Sequence, residues 1–293
     1  GPLAQLSRDG PPSNIGLVPS ATPLGRLRNI ALNILVYRVL LRPTQRLACT
    51  RLAEAGAPRP DRFILDLSRA CDRFLQLGPA EFEYPRIDLD PKVSFVGPFP
   101  PQKSSSSTPL PSWWSELRPE QRPVVHVTQG TLDNQDFSKL ILPTIEGLAG
   151  EDVSVVVSTG GRSVDELGPL PRNVYASEYL PYDRLLPVTS AMITNGGYGG
   201  TLLALRHGIP LVVAGASEDK PEVAARVAHF GVGIDLRDGR PSPEAVRAGV
   251  TRVLADPSMT TAARAMSTAI ARTRAADTIA AMVRLEVVRT TSV

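Results

Sequence analysis

The sequence is short of cysteine, histidine and aromatic residues. Only Cys49 and Cys71 occur among 293 residues. Two cysteines make no disulfide scaffold, and these two have no metal-ligand spacing. A lone pair in a chain of this size reads as two buried thiols in a reducing compartment. The three histidines, His126, His207 and His229, form no HExxH motif and have no cysteine nearby, so no metal site is expected. Neither a Walker A sequence nor a GxSxG elbow is present. Charge of one sign is not in excess: 32 basic residues face 29 acidic ones, without a basic run, and a nucleic-acid reader finds no support. No stretch reaches the roughly 18 apolar residues of a membrane span. The nearest, Ile30 to Leu41, is too short and contains Arg38. No secretory signal is visible, and a cytoplasmic location is expected. The chain opens on Gly1-Pro2 without methionine, which reads as processing, a tag or truncation.

What is abundant is glycine and proline, 23 and 28 residues, in a chain that is 42% hydrophobic. This suits a core-forming protein with many tight turns. Thr22-Pro23 opens a long helical pattern from Leu24 to Gly56, interrupted near Pro43. Leu27, Ile30, Ile34, Leu41 and Leu47 share an apolar side at helical spacing. Such a stripe is expected to face a core, with an acceptor pocket as the other reading. Short strands are expected at Phe63–Leu65, Phe74–Leu77 and Val93–Val96. Residues 97–112, rich in proline and then serine, read as a linker.

Beyond the linker the pattern becomes regular. Apolar strands are expected at Val124–Thr128, Val153–Ser158, Val174–Ala176, Ala191–Thr194, Leu211–Ala214 and Val232–Leu236. Helices are expected near 136–149, 199–207, 220–230, 243–255 and 258–289. Continuous apolar strands alternating with helices imply a parallel sheet covered on both faces, with ligands at the carboxyl ends of its strands.

Several loops at those ends could carry chemistry. Thr128-Gln129-Gly130-Thr131 and Ser158-Thr159-Gly160-Gly161 are rich in glycine and hydroxyls. Asn195 to Gly200 joins a strand to a helix that ends at Arg206-His207-Gly208-Ile209-Pro210. Its backbone N–H groups would form an anion site open to a phosphate, or its glycines serve only the shape of the turn. Glu218, Asp219 and Lys220 could meet sugar hydroxyls, or Ser217 or Asp219 simply caps the helix that Pro221 begins. Tyr179 could stack on a flat ring or pack at a strand end. His126, inside an apolar strand, reads as a satisfied core histidine, and His207 as a helix C-terminal residue.

Four blocks in order resemble one family. They are HVTQGT (126–131), EYLPYDRLLP (178–187), TNGGYGGTLLAL (194–205) and GIPLVVAGASEDKPEVAARV (208–227). Together they are similar to the C-terminal, nucleotide-sugar-binding domain of the GT-B UDP-glycosyltransferases, most closely the bacterial and fungal members acting on small lipophilic acceptors. SRDGPP (7–12) and the helix after it resemble the end of that family's N-terminal domain. The resemblance implies an α/β fold of GT-B type: a Rossmann-like parallel-sheet donor domain plus a partial N-terminal acceptor domain. It divides the chain into a partial acceptor-side domain (1–96), a linker (97–112), a donor domain (113–275) and a C-terminal helix returning to the N-terminal domain (276–293).

The resemblance also implies roles. Tyr179 and Leu180 would meet the nucleotide base. Gly130 and Thr131 would face the diphosphate. Asn195, Gly196, Gly197, Gly199, Gly200 and Thr201 would bind phosphates, and Glu218, Asp219 and Lys220 would line the donor-sugar end. The family's usual histidine is Asn195 here, its ribose-binding glutamate is Leu203, and its glutamine is Lys220. No residue matches the family's catalytic histidine, which is expected in a preceding N-terminal segment, with a separate N-terminal fragment as one form that segment could take. The implied activity is inverting transfer of a sugar, UDP-glucose being the expected donor, to a hydroxyl of a lipophilic small molecule. That chemistry needs a base for the acceptor and donors for the departing diphosphate, with the nucleotide sugar as co-substrate and no further cofactor. The alternatives are a non-catalytic nucleotide-sugar-binding or partner-activating module and, more remotely, a GT-B epimerase.

Overall fold

The computed structural model describes all residues except Ala21, Asp61, Leu65, 101–108, Ser292 and Val293. The expected linker therefore lies partly outside the described residues.

The first elements are α1 (Pro23–Asn33), a π-helical stretch (Ile34–Leu40) and α2 (Arg42–Glu54). Thr22 caps α1 by accepting the Gly25 N–H, and Pro23 needs no donor at the first position. The chain breaks at Leu41, just before Pro43, close to the expected interruption. The apolar stripe does not face a core. Leu27 is 63% exposed and Ile34 55%, and Ile30 and Leu47 are exposed as well. The helix docks instead by its polar side. Asn29 donates to the Asp9 carbonyl (2.8 Å), and Asn33 to those of Ser7 and Gly10 (3.2 and 3.1 Å). These side-chain bonds to a loop override the helix periodicity and turn the stripe outward. The cysteines depart from expectation too. Both are half-buried and in no disulfide, and Cys49 sits on α2, which has no buried residue.

A short helix α3 (Leu67–Ala70) precedes β1 (Phe74–Gln76) and β2 (Val93–Phe95), which pair in parallel. Phe63 and Ile64 form no strand. The Phe63 ring lies 4.8 Å from that of Tyr37, and the Ile64 N–H donates to the Gln45 side chain (2.8 Å) rather than to a neighbouring strand. Leu65 lies outside the described residues.

The main sheet is parallel and six-stranded: β3 (Val124–Thr128), β4 (Ser154–Ser158), β5 (Val174–Ser177), β6 (Ala191–Thr194), β7 (Leu211–Val213) and β8 (Gly233–Asp235). Its spatial order is β5-β4-β3-β6-β7-β8. Helices α4 (Ile141–Gly147), α5 (Tyr182–Leu185), α6 (Tyr198–Arg206), α7 (Lys220–His229) and α8 (Pro243–Ala255) are interleaved with the strands or follow them. The region read as one helix over 258–289 is two, α9 (Pro257–Ala271) and α10 (Ala275–Thr291). Among the described residues no helix is long and apolar enough to cross a membrane.

Alternation along the strands divides the core. Val125, Val127, Val155, Val157, Ile193 and Val212 pack with Ile141, Ile145, Val246 and Val250 of α4 and α8. Met192, Leu211 and Val213 pack on the other side with Leu202 and Leu205 of α6, Val227 of α7 and Met266 of α9. Phe82, from the segment between β1 and β2, is part of this second cluster. The chain before residue 97 thus shares a core with the sheet that follows.

Candidate functional site

The chain leaves β3 towards β4 and β5, then crosses back to β6, β7 and β8 on the other side. The carboxyl ends of β3 and β6 flank a topological switch point, where open parallel sheets bind ligands. Amide side chains stitch the loops there. Asn195 Nδ2 donates to the Gln129 carbonyl (2.8 Å), joining the β6 loop to the β3 loop. Gln129 Nε2 donates to the carbonyls of Asp133 and Asp136, and its Oε1 accepts the Ile141 N–H. Asn134 Nδ2 donates to the carbonyls of Thr159 and Gly160 beyond β4.

The helix entrance after β6 is open. Gly196 takes φ +86°, the left-handed region that suits glycine. Thr194 Oγ1 accepts the Gly196 N–H (3.3 Å), and Asn195 Oδ1 accepts that of Gly197 (3.4 Å). Gly197, at the cap of α6, has no side chain to satisfy the first turn, so the N–H groups of Tyr198, Gly199 and Gly200 receive no side-chain cap from it. Gly199 is exposed. Thr201 behaves differently. It is fully buried, and its hydroxyl has no hydrogen-bond partner. Leu203, where the family's ribose ligand would stand, packs against the second core cluster.

Gly130 takes φ +73° and is exposed together with Thr131. Tyr179 is 67% exposed, and its hydroxyl lies so close over Gly161 that a Cβ there would collide with it. A flat aromatic face is thus held open at the end of β5. Leu180 is half-buried against the cluster around Leu117, Val124 and Leu185. Asp219 occupies the cap position of α7, but its carboxylate makes no capping bond.

Beside this entrance lies a cavity of about 380 Å³, lined among others by Gln129, Asp133, Asn195, Gly215, Ser217 and Arg240. Of the residues expected at the site, only Asn195 lines it. Lys220 is 3% exposed, and its ammonium is engaged by Glu218 (2.5 Å), Asp133 (3.1 Å) and Ser217 Oγ (3.2 Å). Burial alone would lower its pKa, but bonds to Glu218 and Asp133 outweigh this and raise it. Asp133 also takes Lys139 at 2.6 Å. Burial would lift its carboxyl, yet Lys139 and Lys220 hold it below the ordinary carboxylate range. Sequence reasoning passed over Asp133 and Asn134, and named Gln129 only as part of the loop Thr128-Gln129-Gly130-Thr131. The one signal for Asp133 and Asn134 was their position just beyond the strand-end glycine Gly130. Among the described residues no group of three or more His, Cys, Asp or Glu could hold a metal ion.

His126 is the core histidine expected. It is fully buried, with Nδ1 against the Val156 carbonyl (2.9 Å) and Nε2 against the Tyr182 hydroxyl (3.1 Å). Burial pushes its pKa down to about 4 from 6.5. The unfolded chain therefore binds the proton first as pH falls below 6.5, and folding stability is lost between these values. The histidine's share of that loss is about 2 kcal/mol on going from about pH 7 to about pH 5. Urea unfolding of His126→Gln at both pH values checks this: the variant lacks that share of the acid loss, and an unchanged pH slope would contradict the placement.

The six-stranded parallel sheet with its flanking helices has the α/β architecture of the GT-B glycosyltransferase fold. The crystal structure of CalG4, the calicheamicin glycosyltransferase, superposes with a TM-score of 0.67 at 24% identity, covering 85% of this chain and 62% of that one. Residues 143–285 match the family described as erythromycin biosynthesis protein CIII-like, C-terminal domain. The chain is 47% identical over 252 residues to 4'-demethylrebeccamycin synthase of Lentzea aerocolonigenes, covering 86% of this chain and 59% of the relative. It is 36% identical over 261 residues to UDP-glycosyltransferase 2 of Phaeomoniella chlamydospora, covering 87% of this chain and 57% of the relative. The chain thus spans somewhat more than half the length of these relatives.

Proposed function

We propose that this chain is the donor-binding part of a glycosyltransferase that moves glucose from UDP-glucose to a hydroxyl of a lipophilic small molecule, with inversion. The observation that carries the reading is the uncapped entrance of α6 beside the switch-point cavity. Backbone N–H groups of Tyr198, Gly199 and Gly200 are the diphosphate donors in this reading, and charge builds on that diphosphate as the sugar departs. The exposed ring of Tyr179 takes the uracil. Thr131 adds a hydroxyl to the phosphates. The relatives named as glucosyltransferases of fungi and yeast support glucose as the sugar. No cofactor or metal enters the scheme: dipoles and hydrogen bonds supply the leaving-group stabilisation.

The acceptor's proton needs a base, which we place in a part of the whole enzyme beyond this chain. The exposed apolar face of α1 and the π-helical stretch is, in this reading, surface that an acceptor domain covers.

UDP-glucose and UDP both bind this chain. At about a hundred times Kd, either adds about 2.7 kcal/mol of stability, several degrees of melting temperature. Differential scanning fluorimetry with UDP, UDP-glucose and free glucose reads this. Stabilisation by the two nucleotides and not by glucose is expected. No shift with either nucleotide would overturn the reading.

A further inference from the structure

We propose that Asp133 is a specificity-determining residue: held by Lys139 beside it on the wall and by the buried Lys220 behind it, it lines the sugar end of the donor cavity and selects a fully hydroxylated hexose over a deoxygenated one. This rests on the donor-binding reading above. Asp133 comes from the β3 loop and lines the cavity, whereas Lys220 begins α7 behind that wall, and the two are in direct contact at 3.1 Å. Lys220 is almost wholly buried and has three partners for its three N–H bonds, Ser217, Glu218 and Asp133. Its donors are thus committed within the protein, and the groups it fixes are acceptors. Glu218 is held at φ +58°, an uncommon backbone region for a side chain of this size, while its carboxylate reaches Lys220. Asp133 places one oxygen on Lys139 and the other on Lys220, which leaves lone pairs on a fixed carboxylate at the cavity wall.

The lining also includes Asp238 and Arg240. Charges of both signs therefore line the cavity, with no single-sign field for an ionic ligand. Paired charges that keep free lone pairs suit hydroxyl groups, which donate to carboxylates without bringing charge of their own. A ring position lacking its hydroxyl would leave the carboxylate of Asp133 facing an apolar carbon. A site built to hydrogen-bond a hydroxyl rejects the analogue without it far more strongly than an apolar pocket rejects a missing methylene.

The test measures dissociation constants of this chain for UDP, UDP-glucose and a UDP-4,6-dideoxyhexose by calorimetry, in the wild type and in Asp133→Asn. The wild type should prefer UDP-glucose to the dideoxy donor by about tenfold or more, as one lost bond to a charged group predicts. Asp133→Asn should shrink that ratio to about threefold or less while leaving UDP affinity within about twofold, which also shows that the variant folds. Equal loss for all three ligands would mean that Asp133 only shapes the loop and would overturn the proposal. So would a wild type indifferent to the hydroxyls. A wild type that binds none of the three would overturn the donor-binding reading itself.

Discussion

Replacing Arg226 by methionine destabilises the chain by about 3–5 kcal/mol, the usual consequence of breaking a buried ion pair from one side. Arg226 has no exposed surface. Its guanidinium meets Glu83 at 2.5 Å and Glu222 at 2.6 Å, and lies 4.3 Å over the ring of Tyr84. Burial alone would lower its pKa, but the two glutamates outweigh that and raise it. Methionine fills much of the volume but leaves Glu83 and Glu222 buried with less compensation. Glu83 keeps Arg86 at 3.1 Å, and Glu222 loses its ion-pair partner. The contact joins α7 to the segment after β1, so the loss falls on the packing of that segment against the six-stranded sheet and its helices. Urea unfolding checks it. Arg226→Lys should fall between the wild type and methionine, since one ammonium cannot serve both carboxylates in a fork. A cost below about 1 kcal/mol for methionine would mean the network adds little.

Gly199→Val abolishes nucleotide binding while the unliganded fold survives. A Cβ on Gly199 meets no atom within 4 Å, so the branched side chain is accommodated in the free protein. The same open space is where a diphosphate approaches the N–H groups of the first turn of α6. The variant fills it with methyl groups, and affinity for UDP should fall by about a hundredfold or more, since charge-assisted bonds to backbone donors are lost together. Gly215 offers no such clean separation. A Cβ there would collide with the Asn195 carbonyl oxygen, and both backbone and site would shift.

The six-stranded sheet was legible because its strands are apolar on both faces and its helices carry local stop and cap signals. Ser242 and Asp256 cap α8 and α9, each followed by a proline. Loops at the carboxyl ends were legible for the same reason, once the strands were placed. The apolar stripe from Leu27 to Leu47 misled, because periodicity reports which residues share a side and not what that side meets. Asn29 and Asn33 decide the docking, through carbonyls of a loop that local pattern does not foretell. Arg226 read as an ordinary helix residue, and its partner Glu83 is 143 positions away. Asp133 sat unmarked in a loop, given meaning only by the lysine that the fold brings to it. Thr201, a phosphate ligand by resemblance, has its hydroxyl in the interior of the fold.

The central claim is that a nucleotide diphosphate binds at the entrance of α6. Calorimetric titration of UDP into the wild-type chain and into Gly199→Val tests it most directly. The account predicts one saturable site in the wild type and none within the same concentration range in the variant, with matching unfolding midpoints for the two unliganded proteins. Equal UDP affinity in both would contradict it.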